Sequence, residues 1–312
     1  MNDDFKMSEV QPPLSRVGGL AFSSATVVYV VLAFFAGLLI KGLKIEEGSS
    51  AFVYISYLVA PVAIVAVTAF FVGTKKISAK QAFPLKCHPK YFAIAILLVF
   101  GLQFSVGYID APVLEFFKLL GYRERGSGAY FPNLEGGLVV PAFLVMAIMP
   151  AIFEEALFRG VILNSCEKSM GSIPAVLSVG LCFMLFHASP EQTVYQFIAG
   201  CAFAFIAVRS GSILPSALMH LINNGLIVIF AACGLFDEAG QLVMPQTAFI
   251  VVTTLSALSF AGAAVWLALD KKRGLVKGDK AGVIQFYKYA ALGIIALTLS
   301  WILNFVMSGA NV

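Results

Sequence analysis

Three apolar stretches of this sequence carry side chains that suit water better than lipid: Phe153-Glu-Glu-Ala-Leu-Phe-Arg159, Phe183-Met-Leu-Phe-His187 and His220-Leu-Ile-Asn-Asn224. A charge at the centre of a membrane helix costs about 2.5 to 3.5 kcal/mol on insertion scales, so each demands a partner or a task. Glu155 and Arg159 stand four apart, share a helical face and can pair. Glu154 then points about 100° round the helix, free for other work. Phe183 and His187 are one turn apart, as are His220 and Asn224, so each pair points one way. Pro150, four residues before Glu154, cannot donate to the Met146 carbonyl and is expected to bend the helix beside the site. The remaining histidine, His88, lies in a basic loop and reads as surface.

These residue types together suit the activation of water. A positioned carboxylate can take a proton from water and return it to a leaving amine. A polarised imidazole and an Asn amide can donate to the negative charge that develops on a carbonyl oxygen in a low-dielectric cavity. No Ser or Cys is placed to act as nucleophile, so hydrolysis would proceed by direct attack of water. Glu154, His187 and His220 would also supply three N/O ligands and leave a fourth position for water, the pattern of a catalytic Zn2+ site. A metal-free mechanism uses the same three side chains, so a divalent cofactor stays open.

The elements that must position these residues are membrane helices. The 312 residues are 60% hydrophobic and 12% charged, with mean hydropathy +0.90, against roughly 45 to 50% apolar and about 25% charged in soluble proteins. Apolar runs at 18–40, 51–73, 91–109, 139–165, 172–188, 192–209, 213–234, 246–269 and 287–307 predict an all-α polytopic bundle of eight or nine spans. The runs are continuously apolar, where a membrane barrel would alternate. Counted at about 1.5 Å per residue, Glu154 lies roughly 16 Å from Ser165, His187 roughly 22 Å from Ser172 and His220 roughly 10 Å from Ile213. The three can therefore meet in a mid-membrane cavity.

Lys75, Lys76, Lys80, Lys86 and Lys90 follow the second span, and Lys271, Lys272, Arg273, Lys277 and Lys280 precede the ninth. With nine spans these loops share a side with Lys168 and Arg209, whereas the loop holding Asp237 and Glu238 falls opposite. The positive-inside rule then puts the N-terminus in the cytoplasm, and the expected location is the plasma (inner) membrane. Residues 1–17 read as a cytoplasmic tail, and 18–312 as one transmembrane domain with its catalytic core at 139–234. The net charge of +4 gives no ground for a nucleic-acid partner, because most cations cluster beside spans. Val113 to Leu120 is amphipathic and suits a short interfacial helix ahead of Tyr122-Arg-Glu-Arg-Gly-Ser-Gly. The odd count of five cysteines suggests neither a disulfide framework nor a zinc pair.

Glu154-Glu155-x-x-x-Arg159, Phe183-x-x-x-His187 and His220-x-x-x-Asn224, in that order, resemble the CPBP family of intramembrane proteases. That family includes type II CAAX prenyl proteases and bacteriocin-processing or abortive-infection proteins. The resemblance covers roughly residues 140 to 230. It implies that Glu154 and His187 activate water and that His220 and Asn224 stabilise the oxyanion. Glu155 and Arg159 would hold the site together, with Phe183 in support. The substrate it implies is a membrane-associated protein or peptide. Two other classes fit intramembrane Glu, His and Arg: a proton-coupled carrier, for which paired halves are expected and not found, and a non-catalytic scaffold or immunity protein on the same fold.

Overall fold

Each expected apolar run folds as a helix in the computed structural model, which describes residues 14–123, 131–237 and 242–310. In chain order these are α1 (Ser15–Gly42), α2 (Ser50–Gly73), α3 (Lys90–Phe104) and the short α4 (Asp110–Leu119). There follow α5 (Gly136–Met170), α6 (Ser172–His187), α7 (Thr193–Ser210), α8 (Leu214–Ala232), α9 (Gln246–Leu269) and α10 (Lys280–Ala310). Among the described residues no strand forms. Among the described residues seven helices are long and apolar enough to cross a membrane, all but α3, α4 and α6. The protein is an integral membrane protein. The apolar α3 and α6 have 15 and 16 residues, or about 22 to 24 Å at helical rise, short of the roughly 30 Å hydrocarbon core.

Helix ends follow local capping rather than the apolar run. α10 begins at Lys280, seven residues before its hydrophobic stretch, because Asp279 Oδ1 accepts the Gly282 N–H at 2.6 Å. The amphipathic stretch forms α4, with Phe116 and Leu119 exposed. Residues 1–13 of the expected tail, 124–130 of the following loop, and Glu238 lie outside the described residues, and α1 starts within the expected tail at Ser15.

The basic loops converge at one end of the bundle. Ile213 N–H donates to Pro84 O, Ser172 N–H to Val276 O and Asp279 N–H to Ser169 O, each at 3.0 Å. Arg209 donates to the Leu267 and Ala268 carbonyls in the last turn of α9, whose end carbonyls lack partners within their own helix, and to the Arg273 carbonyl beyond it, at 2.8 to 3.1 Å. Lys90 pairs with Asp270 at 2.8 Å, and Arg273 with Glu167 at 2.8 Å. At the opposite end, Asp110 at the start of α4 accepts the Val194 and Tyr195 N–H groups at 3.0 to 3.2 Å, capping α7 from outside its own chain segment. Phe117, Tyr122, Trp301 and Phe305 pack their rings together there.

Candidate active site

The site hangs on an irregular helix. Within α5, residues Leu144–Ile148 and Ala156–Leu163 are π-helical, and the α-helical turns Met149–Glu155 between them carry Pro150, Glu154 and Glu155. Such π-helical stretches occur where a backbone partner is missing, and functional sites often use them. Pro150 leaves the Met146 carbonyl without its helical donor. That carbonyl accepts instead from Asn224 Nδ2, at 3.2 Å. The expected bend thus takes the form of widened turns, and its exposed carbonyl ties α5 to α8.

Glu155 and Arg159 form the buried centre, at 1% and 0% exposure. Arg159 Nη1 donates to Glu155 Oε1 at 2.6 Å, and Nη2 donates to the Gly200 carbonyl at 3.0 Å. The guanidinium carbon lies 4.6 Å from the Phe183 ring centroid, 5.1 Å from Phe203 and 5.9 Å from Phe158. Three aromatic faces therefore share a cation that lipid would exclude. The Gly200 carbonyl comes within reach because α6 and α7 cross at two glycines. A Cβ on Gly200 would lie 3.0 Å from both Gly180 Cα and Phe183 Cβ, and one on Gly180 would lie 2.3 Å from Cys201 Sγ.

The histidines are oriented by acceptors that fix their tautomers. His220 Nδ1 lies 3.0 Å from Glu155 Oε1, so this nitrogen carries a proton and donates. His220 Nε2 faces Glu154 Oε2 at 4.0 Å. His187 Nδ1 lies 2.8 Å from the Phe183 carbonyl, which can only accept, so Nε2 of the neutral ring holds the free lone pair. The Phe183 ring lies against both, with centroids 4.7 Å from His187 and 5.9 Å from His220. His187 is the last residue of α6. Ala188 follows in left-handed conformation, φ +48°, with its carbonyl accepting from Asn304 Nδ2 at 2.8 Å. Non-glycine residues adopt this conformation at a cost, often beside functional groups.

Glu154 is 8% exposed, and its Oε2 is buried with no hydrogen-bond partner among the described residues. Glu155 Oε1 is held by Arg159 and His220 while its Oε2 is buried without a hydrogen-bond partner among the described residues, and Glu154 faces His220 Nε2 at 4.0 Å. Asn224 is braced from behind: Tyr195 Oη donates to Asn223 Oδ1, and Asn223 Nδ2 donates to Asn224 Oδ1 at 3.2 Å. This turns the Asn224 amide so that one N–H meets Met146 O and the second is available. The sequence reading missed Tyr195, Phe203 and Gly200, which are unremarkable residues in apolar helices. It also passed over Asn223, a polar residue in a span that the criterion selecting Asn224 would have found.

The donor chemistry of Glu154, His187 and His220 suits a divalent metal, but their placement does not. Among the described residues no three His, Cys, Asp or Glu side chains converge closely enough to hold an ion. Beside the carboxylates, a cavity of about 400 Å3 separates α2 from α5, lined by Ile64, Thr68, Val72, Phe83, Phe153 and Ala156. Its walls are almost wholly apolar.

A buried Glu-Arg-His cluster inside a helical membrane bundle defines a class of intramembrane site, and comparison places it further. Residues 136–226 match the Rce1-like family, described as type II CAAX prenyl endopeptidase Rce1-like. This segment, under a third of the chain, contains Glu154, Glu155, Arg159, Phe183, His187, His220 and Asn224. It agrees with the CPBP resemblance and marks the segment as CAAX-protease-like. No curated protein and no solved structure matches the chain.

Proposed function

We propose that the protein is an intramembrane endopeptidase that hydrolyses a peptide bond of a membrane-associated protein or peptide. The observation that carries this reading is the contrast between neighbouring carboxylates: Glu155 Oε1 accepts from Arg159 and His220, whereas Glu154 accepts no hydrogen bond among the described residues and faces His220 Nε2 at 4.0 Å. Glu154, helped by the free His187 Nε2, takes a proton from water, whose oxygen attacks the carbonyl carbon. His220 Nε2–H and the second Asn224 N–H donate to the oxyanion. Because Glu155 holds the proton on His220 Nδ1, donation from Nε2 requires a proton on both ring nitrogens. Glu154 then returns its proton to the leaving amine as the C–N bond breaks. No step is routed through a metal, since the ligand atoms do not converge.

The family description suggests a CAAX prenyl peptide as substrate, and the apolar cavity against Phe153 offers a place for its hydrocarbon. We read nine spans, with α3 and α6 also crossing. Successive helices among these nine alternate between the basic end and the opposite end, which makes the basic end and the N-terminus cytoplasmic in the plasma membrane. Purified protein in detergent should cleave a membrane-anchored peptide, and Glu154→Ala, His187→Ala and His220→Ala should each abolish cleavage while folding survives. Full cleavage by all three variants would sink the mechanism. Solute-driven proton flux in liposomes without proteolysis would replace it with a carrier. Exhaustive chelation should leave activity intact.

A further inference from the structure

At the basic end, away from the carboxylates, a cavity of about 480 Å3 is lined by Lys86, Cys87, His88, Pro89, Tyr91, Arg209, Ser210, Lys272 and Arg273. Among the described residues no carboxylate lines it. The two acids nearby are already engaged, since Asp270 takes Lys90 and the Tyr91 hydroxyl, and Glu167 takes Arg273. Arg209 spends its donors on three carbonyls and forms a fixed floor. Lys86 and Lys272 have no ion-pair partner among the described residues, and both are exposed. His88, which the sequence reading left as surface, contributes a third donor. Its Nδ1 accepts the Lys90 backbone N–H at 3.2 Å, so the neutral ring carries its proton on Nε2.

The walls therefore present cations and N–H donors where α3 begins and α9 ends, at headgroup depth for a bilayer-spanning bundle. Asp270 and Glu167 neutralise Lys90 and Arg273, which leaves the charges of Lys86 and Lys272 beside the positive end of the α3 dipole open to a further anion. We propose that this cavity binds a phosphate group, carried by an anionic phospholipid headgroup or by a soluble phosphate ester. Lys86 and Lys272 would supply charge, and His88 Nε2–H a directed hydrogen bond. The inference is independent of the peptidase reading.

The test is native mass spectrometry of the full chain in nonionic detergent, titrated with phosphatidylglycerol or phosphatidylcholine, beside thermal shifts with inorganic phosphate at constant ionic strength. Wild type should retain phosphatidylglycerol at least tenfold more tightly than phosphatidylcholine. The double variant Lys86→Ala/Lys272→Ala should lose about thirtyfold in affinity, with an unchanged melting temperature. Lys76→Ala/Lys80→Ala, equal in charge change and at the same end, should bind as wild type. Stabilisation by inorganic phosphate without retained lipid would assign the site to a soluble ester, and the converse to the membrane. No binding of either probe, equal binding of phosphatidylcholine, or equal loss in both double variants would overturn the proposal.

Discussion

Glu155 Oε1 takes hydrogen bonds from both Arg159 and His220, so loss of Arg159 leaves a negative charge in an apolar centre with one donor fewer. Breaking one partner of a buried pair typically costs about 3 to 5 kcal/mol. Arg159→Ala should therefore lower thermal stability by that order, read as a drop in melting temperature. Glu154→Gln, one residue away and without a hydrogen bond among the described residues, should leave melting nearly unchanged and abolish cleavage. Tyr195→Phe deletes the hydroxyl that holds Asn223, and through it Asn224. It should lower kcat about tenfold at unchanged KM, the signature of an interaction made in the transition state. A KM effect alone would assign Tyr195 to substrate binding. At this scale the motif residues were legible because charge and amide groups stand out in apolar runs. The aromatic cage was not, because Phe158 and Phe203 look like any other lipid-facing phenylalanine until folding brings them around a guanidinium.

At the scale of elements, Pro150 and Asn224 form a pair that only the structure reveals. The proline frees the Met146 carbonyl, and the asparagine of another helix takes it. Pro150→Ala restores a backbone donor that competes for this carbonyl. The variant should be more helical by circular dichroism, yet slower at saturating substrate, because Asn224 loses its anchor. Gly200→Ala places a methyl 3.0 Å from Gly180 Cα and Phe183 Cβ. Forcing α6 and α7 apart should cost about 1 to 3 kcal/mol and should draw the Gly200 carbonyl off Arg159. Helix existence was readable from apolar length alone. Helix ends were not, since they depend on caps such as Asp279 that lie outside the hydrophobic window, and the π-helical turns flanking Met149–Glu155 leave no compositional trace.

For the whole molecule, two carboxylates outside the spans give opposite pH responses. Burial pushes the Asp110 carboxyl from 3.8 up to about 6, against the lowering effect of the Tyr195 and Val194 N–H groups. Between these values the folded protein holds a proton that the unfolded chain has released. This contribution to stability therefore grows as pH falls through 6 and is complete below about 3.8. Melting of wild type should rise between pH 7 and pH 5 relative to Asp110→Asn, which has no such proton. Asp270, held below its usual range by hydrogen bonds from Lys90 and Tyr91, loses its contribution as pH falls below about 3.8. An orientation can be proposed from the sequence because lysine clusters need no fold to be counted, and natural cysteines can test it. An impermeant maleimide applied to intact cells should label Cys233 at the end opposite the basic loops and spare Cys87. The brevity of α6 has a mechanical consequence. Ile173 and Leu177 are exposed on a helix some 6 Å too short for an ordinary bilayer. On the nine-span reading the lipid beside α6 must thin to match it, so reconstitution in shorter-chain phosphatidylcholine should speed turnover.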